Sequence, residues 1–339
     1  MTQTPLASPV HDTPPSVRTR RTRALLRLLA IVSCLPYLSL KVAWLAGSQV
    51  GIPDSSPLLD DRTTMAVANG ATVLMDGSVI VLALLLTQAW GRRVPAWLLV
   101  LPLWTASGLL LPIMTGFPLQ LLVGALAGRA PGAADSRSFL DDWVFAVVYP
   151  GFIVQGLALG TLSALYARDR WGHLWQGTLR DLPPSPTGPA LRVAAVVSSL
   201  LAVVPVAMHL VWASGSTAGL DRTRIADRTE DFYALQALDA LFVVAATAGV
   251  LLLAFRRTGG LSLKVPLALA WAGSGAVGCS GAWLSLASLA RVDDLADRPT
   301  AAMGLTYAVQ MLIGMLVVTL GAYFFSERAA AARTTGVRA

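Results

Sequence analysis

The chain has 339 residues, of which 55% are hydrophobic and 13% charged, with a mean hydropathy of +0.63 and a formal charge of +7. A soluble domain normally carries about 25% charged residues, so this composition excludes a soluble enzyme, a coiled coil and a disordered chain. Cys34 and Cys279 both sit in apolar runs and offer neither a disulfide framework nor a zinc spacing.

Residues 1–20, with Pro5, Pro9, Pro14 and Pro15, read as a disordered cytoplasmic tail. A membrane-spanning helix needs about 20 apolar residues to cross about 30 Å of hydrocarbon. Eight runs reach that length, at about 24–46, 65–90, 95–114, 143–167, 191–214, 232–255, 265–288 and 302–325. Trp44, Trp90, Trp97, Trp143, Trp212 and Tyr323 stand near run ends, where interfacial rings anchor a span. No run has the short alternation of an outer-membrane barrel. The fold class is therefore an all-α membrane protein with eight transmembrane helices. Between the fourth and fifth runs, residues 168–190 contain Pro183, Pro184, Pro186 and Pro189 and are predicted to form an extended cytoplasmic linker. Residues 329–339 read as a second disordered tail.

The connecting charges set the orientation. With the N-terminus inside, 17 basic residues fall on the inner face and 8 on the outer, and every inner segment is basic. This is the positive-inside pattern, and it puts both termini in the cytoplasm of a multi-pass cell-membrane protein. The high pI then reflects topology; the arginines form no single stripe, so nucleic acid is not a partner. The partner is the lipid bilayer, and the sequence leaves the oligomeric state open.

The two halves repeat. Lys41-Val-Ala-Trp44-Leu-Ala-Gly47-Ser48-Gln-Val-Gly51 closes the first helix, and His209-Leu-Val-Trp212-Ala-Ser-Gly215-Ser216-Thr-Ala-Gly219 closes the fifth. In the same order, Asp76 matches Asp239, Arg92-Arg93 matches Arg256-Arg257, and Trp104 with Ser107-Gly108 matches Trp271 with Ser274-Gly275. Gln155 matches Gln310. The expected organisation is a four-helix repeat over 21–167, the linker 168–190, and a second repeat over 191–328. An even helix count makes the repeats parallel rather than inverted.

Ionisable groups inside membrane helices normally face the protein interior and find a partner. At about 1.5 Å per residue, Lys41, Asp76, His209 and Asp239 each lie about 21–25 Å from the inner arginines of their own helices. They share one level, and Gln155 and Gln310 fall at similar depth. Because consecutive helices usually neighbour each other, Lys41 is predicted to pair with Asp76, and His209 with Asp239. These six residues form the candidate polar or proton site, placed in a cleft between the repeats. A histidine–aspartate pair changes protonation near neutral pH, whereas a lysine–aspartate pair stays ionised. The outer acids Asp60, Asp61, Asp141, Asp142, Asp293, Asp294 and Asp297 are interleaved with Arg62, Arg228 and Arg298 and read as solvated loop charges, not a metal site. No cofactor motif is present, and neither a Walker loop nor a His-Glu-x-x-His segment occurs.

The [Lys/His]-x-x-Trp-x-x-Gly end of the first and fifth helices resembles that of small four-helix membrane proteins of high-GC bacteria, here in two fused copies. That resemblance implies a bacterial inner-membrane fold and no activity; Lys41 stands where the pattern prefers His. Three functions fit the sequence. The first is binding or translocation of a small solute or proton. The second is a membrane-embedded enzyme acting on a lipid or isoprenoid, with Asp76 or Asp239 as acid or base. The third is a non-catalytic partner subunit or immunity-type protein.

Overall fold

A computed structural model describes residues 17–54, 56, 59, 62–128, 140–183, 187–226, 228–256, 260–289 and 298–337. The expected tail up to residue 16, and Asp60, Asp61, Asp293, Asp294 and Asp297, lie outside them. Among the described residues, eight helices are long and apolar enough to span a membrane. They are α1 (Val17–Leu45), α2 (Arg62–Thr87), α3 (Ala96–Leu126), α4 (Asp142–Trp171), α5 (Gly188–Ala213), α7 (Glu230–Phe255), α8 (Lys264–Ala287) and α9 (Ala301–Val337). A short helix, α6 (Arg222–Ala226), lies in the connection after α5. No strand occurs among the described residues beyond a single bridge between Thr178 and Ser262.

Three elements outrun their predicted lengths, the first being α1, which starts at Val17, inside the tail expected to be disordered through residue 20. The third run, expected to stop near residue 114, continues through Pro118 to Leu126, because prolines are tolerated where neighbouring helices re-satisfy the freed carbonyls. The last helix reaches Val337, so helix replaces the disordered tail expected from residue 329.

The ends of α1 and α5 are built alike. Gly47 and Gly215 take φ +92° and +93°, a left-handed conformation that glycine adopts without a Cβ clash. The Trp44 indole donates to the Val50 carbonyl at 2.7 Å, and the Trp212 indole to the Ala218 carbonyl at 2.9 Å. Ser48 Oγ accepts from Val50 N at 3.3 Å, and Ser216 Oγ from Ala218 N at 3.2 Å. The turned chain then meets the start of the last helix in its own half: Gly51 O accepts from Asp141 N, and Gly219 O from the Thr300 hydroxyl.

The second half packs around α8, which lies against both α7 and α9. Its glycines explain the closeness. A Cβ on Gly273 would lie 2.3 Å from Ala246 N of α7, and one on Gly278 would lie 3.0 Å from the Gly314 Cα of α9. Between the halves, α3 crosses α8 where a Cβ on Gly108 would lie 2.3 Å from the Gly275 carbonyl. The Trp104 indole donates to Ser274 Oγ and the Trp271 indole to Ser107 Oγ, each at 3.0 Å.

At the arginine-rich end, Arg23 of α1 bridges to Asp169 of α4, which puts the start of the first half beside its finish. The predicted extended linker instead docks in large part on the second half. Leu179 N donates to Leu261 O at 3.0 Å and Leu263 N to Gly177 O at 3.1 Å. Leu179 and Leu182 are buried against Leu253, Leu263 and Phe324. Arg256 ends α7 with φ +54° and donates through Nη1 to the Leu182 and Pro183 carbonyls, at 3.2 and 2.9 Å. Burial, with Arg192 nearby, lowers the proton affinity of its guanidinium below the usual value. Asp181 accepts from both the Thr178 amide and hydroxyl, which holds its carboxyl below the ordinary carboxylate range.

Candidate functional site

In the second half, the Trp212 turn fixes the end of α5 and leaves His209 one turn further in, 3% exposed. Both ring nitrogens are engaged. Gln310 Nε2 of α9 lies 2.8 Å from His209 Nε2, and Gln236 Oε1 of α7 lies 2.7 Å from Nδ1. With the amide nitrogen donating to Nε2, the ring's one hydrogen sits on Nδ1 and is donated to Gln236. The ring is held also by the edge of Trp212 at a centroid distance of 5.5 Å. Gln310 Oε1 is buried without a partner.

Asp239 does not bridge to His209, as the sequence had suggested. It stands three residues from Gln236 on the same face of α7 and lines a cavity of about 50 Å³ with His209, Arg224, Gln236 and Tyr307. A water molecule occupies about 30 Å³ of liquid, so the space suits one or two waters. The apolar rim includes Leu220, Phe232 and Met303. Arg224 comes from α6, whose first turn is tied by Asp221 Oδ1 accepting from Arg224 N at 2.6 Å.

In the first half, the expected Lys41–Asp76 bridge is also missing. Lys41 Nζ donates to Asn69 Oδ1 at 2.8 Å and sits 4.9 Å from the Tyr37 ring centroid and 4.6 Å from that of Trp44. Asp76 is 5% exposed and Gln155 1%. Gln155 Nε2 lies 3.3 Å from Asp76 Oδ1, while Asp76 Oδ2 and Gln155 Oε1 are buried and unpartnered.

The six predicted residues thus form two clusters rather than one lining. Lys41, Asp76 and Gln155 belong to α1, α2 and α4; His209, Asp239 and Gln310 belong to α5, α7 and α9. The expected cleft between the halves is occupied at its crossing by the close approach of Gly108 and Gly275. Sequence reasoning missed Asn69, Gln236 and Arg224. The first two carried a signal, because Asn69 precedes Asp76 by seven residues and Gln236 precedes Asp239 by three, spacings that share a helix face.

Compared with protein-family models, curated proteins and solved structures, the chain has no match.

Proposed function

We propose that this polytopic protein lies in a bacterial inner membrane, with both termini cytoplasmic, as two fused parallel four-helix repeats, and that it binds or translocates a proton or similarly small solute at the His209–Asp239 site. The observation that carries this reading is the cavity of about 50 Å³ beside those two residues. Sites for organic ligands usually enclose about 300–1,000 Å³, so a lipid or isoprenoid substrate does not suit this space, whereas a proton carried by water does. A histidine bonded on both sides, with the Asp239 carboxyl and the Arg224 guanidinium lining the same water-sized gap, is chemistry suited to taking up a proton.

The repeat reading draws support from the paired turns after Trp44 and Trp212 and from the reciprocal Trp104–Ser274 and Trp271–Ser107 bonds. Orientation rests on the 17 basic residues against 8.

Proton flux into reconstituted vesicles, followed with an internal pH dye under an imposed gradient, tests the function. Wild-type protein should acidify the lumen faster than empty vesicles, and both His209→Ala and Asp239→Asn should return the rate to that background. Undiminished flux in both variants, or wild-type flux at background, overturns the proposal.

A further inference from the structure

The first half holds a buried carboxyl group whose surroundings do not suit an anion. Asp76 Oδ2 accepts no hydrogen bond, Oδ1 receives one long contact from Gln155, and Gln155 Oε1 is itself unpartnered. A bare carboxylate inside apolar helices is among the costliest groups a membrane protein can bury. The cation best placed to neutralise it points elsewhere: Lys41 donates to Asn69, two helical turns from Asp76 along α2, and rests between the Tyr37 and Trp44 rings.

One hydrogen resolves all three features. A carboxylic acid and a carboxamide are complementary, each offering one donor and one acceptor side by side. Gln155 Nε2 already faces Oδ1. A hydrogen on Oδ2 would donate to Gln155 Oε1, closing a ring of two hydrogen bonds and satisfying both orphaned oxygens together. An uncharged Asp76 would also leave Lys41 free to bond Asn69. We propose that Asp76 is a proton-binding site, held as a carboxylic acid in a reciprocal pair with Gln155, and that loss of this proton draws Lys41 from Asn69 to Asp76.

In the step, the Asp76 O–H bond breaks heterolytically, the electron pair stays on Oδ2 and the proton leaves to water. Lys41 keeps its three hydrogens and becomes the donor to Oδ2, so the pair passes from a net charge of +1 to zero and no redox partner is required. The titratable groups facing Asp76 are few. Cys34, Tyr37 and Lys41 come from α1, with Tyr149 of α4 beyond Tyr37. The sequence of α3 contains no ionisable residue, and Lys41 is the one cation in this set. The inference concerns the first half alone and does not rest on the reading of His209 and Asp239.

Infrared titration of the full chain in lipid nanodiscs, with carboxyl-labelled aspartate, tests it. Wild-type protein should show a protonated-carboxyl band near neutrality that disappears on alkaline titration. Asp76→Asn should remove that band and keep the fold, because the asparagine amide offers Gln155 the same donor and acceptor. Asp239→Asn should retain it. Gln155→Met should keep the band but shift it toward the frequency of an acid without a partner. Lys41→Met should raise the alkalinity needed to remove it by tenfold or more. Absence of any band sensitive to Asp76→Asn overturns the proton site; should that variant not fold, an unshifted band in Gln155→Met does so. An unchanged titration in Lys41→Met overturns the exchange of partners. Vesicle flux enters none of these readouts, so this site and the second-half reading fail separately.

Discussion

His209 and Lys41 occupy matching places, one turn in from a Trp-Gly turn of the same design, yet they meet their surroundings differently. The imidazole is short and rigid, and amides from α7 and α9 come to it at 2.7 and 2.8 Å. The lysine is long, reaches outward to Asn69, and leaves Asp76 and Gln155 to each other. Helix packing differs in step. Aligning Trp104 with Trp271 puts Ala106, Leu111 and Met114 of α3 where α8 has Gly273, Gly278 and Gly281. The glycines let α7 and α9 close on α8. The bulkier residues of α3 pack elsewhere: Ala106 and Met114 lie on the core of the first half, Met114 over Gly156 of α4, and Leu111 packs on the core of the second half. A polar layer of fixed geometry thus accompanies tight helix contacts, and a looser half accommodates a side chain with a choice of partners.

The largest expected effect breaks that packing contrast. A Cβ on Gly314 would sit 2.4 Å from the Gly278 Cα, a backbone clash, whereas one on Gly160 meets nothing within 4 Å. Gly314→Ala should cost about 2–3 kcal/mol, and Gly160→Ala should gain up to about 1 kcal/mol from helix propensity, both read from unfolding midpoints in detergent. Equal behaviour would mean the glycines do not set the difference. Next, His209→Leu strands two buried amide groups and should cost about 2–4 kcal/mol. Lys41→Met loses one hydrogen bond and two ring contacts and should cost about 1–2 kcal/mol; the reverse ranking would remove the distinction between a fixed and a looser polar layer.

A subtler pair sharpens the likeness between the halves. Trp104→Phe and Trp271→Phe each delete one 3.0 Å bond of the reciprocal set, and each should cost about 1 kcal/mol. A thermal-shift ratio well away from unity would show that the crossing is symmetric in geometry but not in energy. Smallest is the effect at Asp181, present only beside the second half. Its folded-state proton affinity is lowered, so its contribution to stability is complete above the ordinary carboxylate range and fades as pH falls through the folded value. Asp181→Asn should flatten that part of the stability–pH curve, measured by urea unfolding on the acid side.

The eight spans were legible because each is a long apolar run, a signal that survives whatever the packing becomes. Partner choice was not legible. Ranking residues by charge directed attention to Asp76 and Asp239, while the neutral Asn69 and Gln236 supply the hydrogen bonds that Lys41 and His209 make. Depth along a helix places a Cα, but lysine's four-carbon stem shifts its ammonium by about a helical turn. The prolines at 183–189 suggested an extended joint, and Leu179 and Leu182 just before them were the unread sign of docking. The stop assigned near residue 114 failed because Pro112 and Pro118 are both accommodated inside α3, where neighbouring helices can re-satisfy the freed carbonyls.

The docked strap has a consequence for assembly. Residues 177–182 belong to the linker that follows the first half, and through Leu179 and Leu182 they are anchored in the second, against Leu253, Leu263 and Phe324. A polypeptide severed just beyond Pro183 would therefore still carry its own clasp, and the two fragments made separately would have a specific surface on which to find each other.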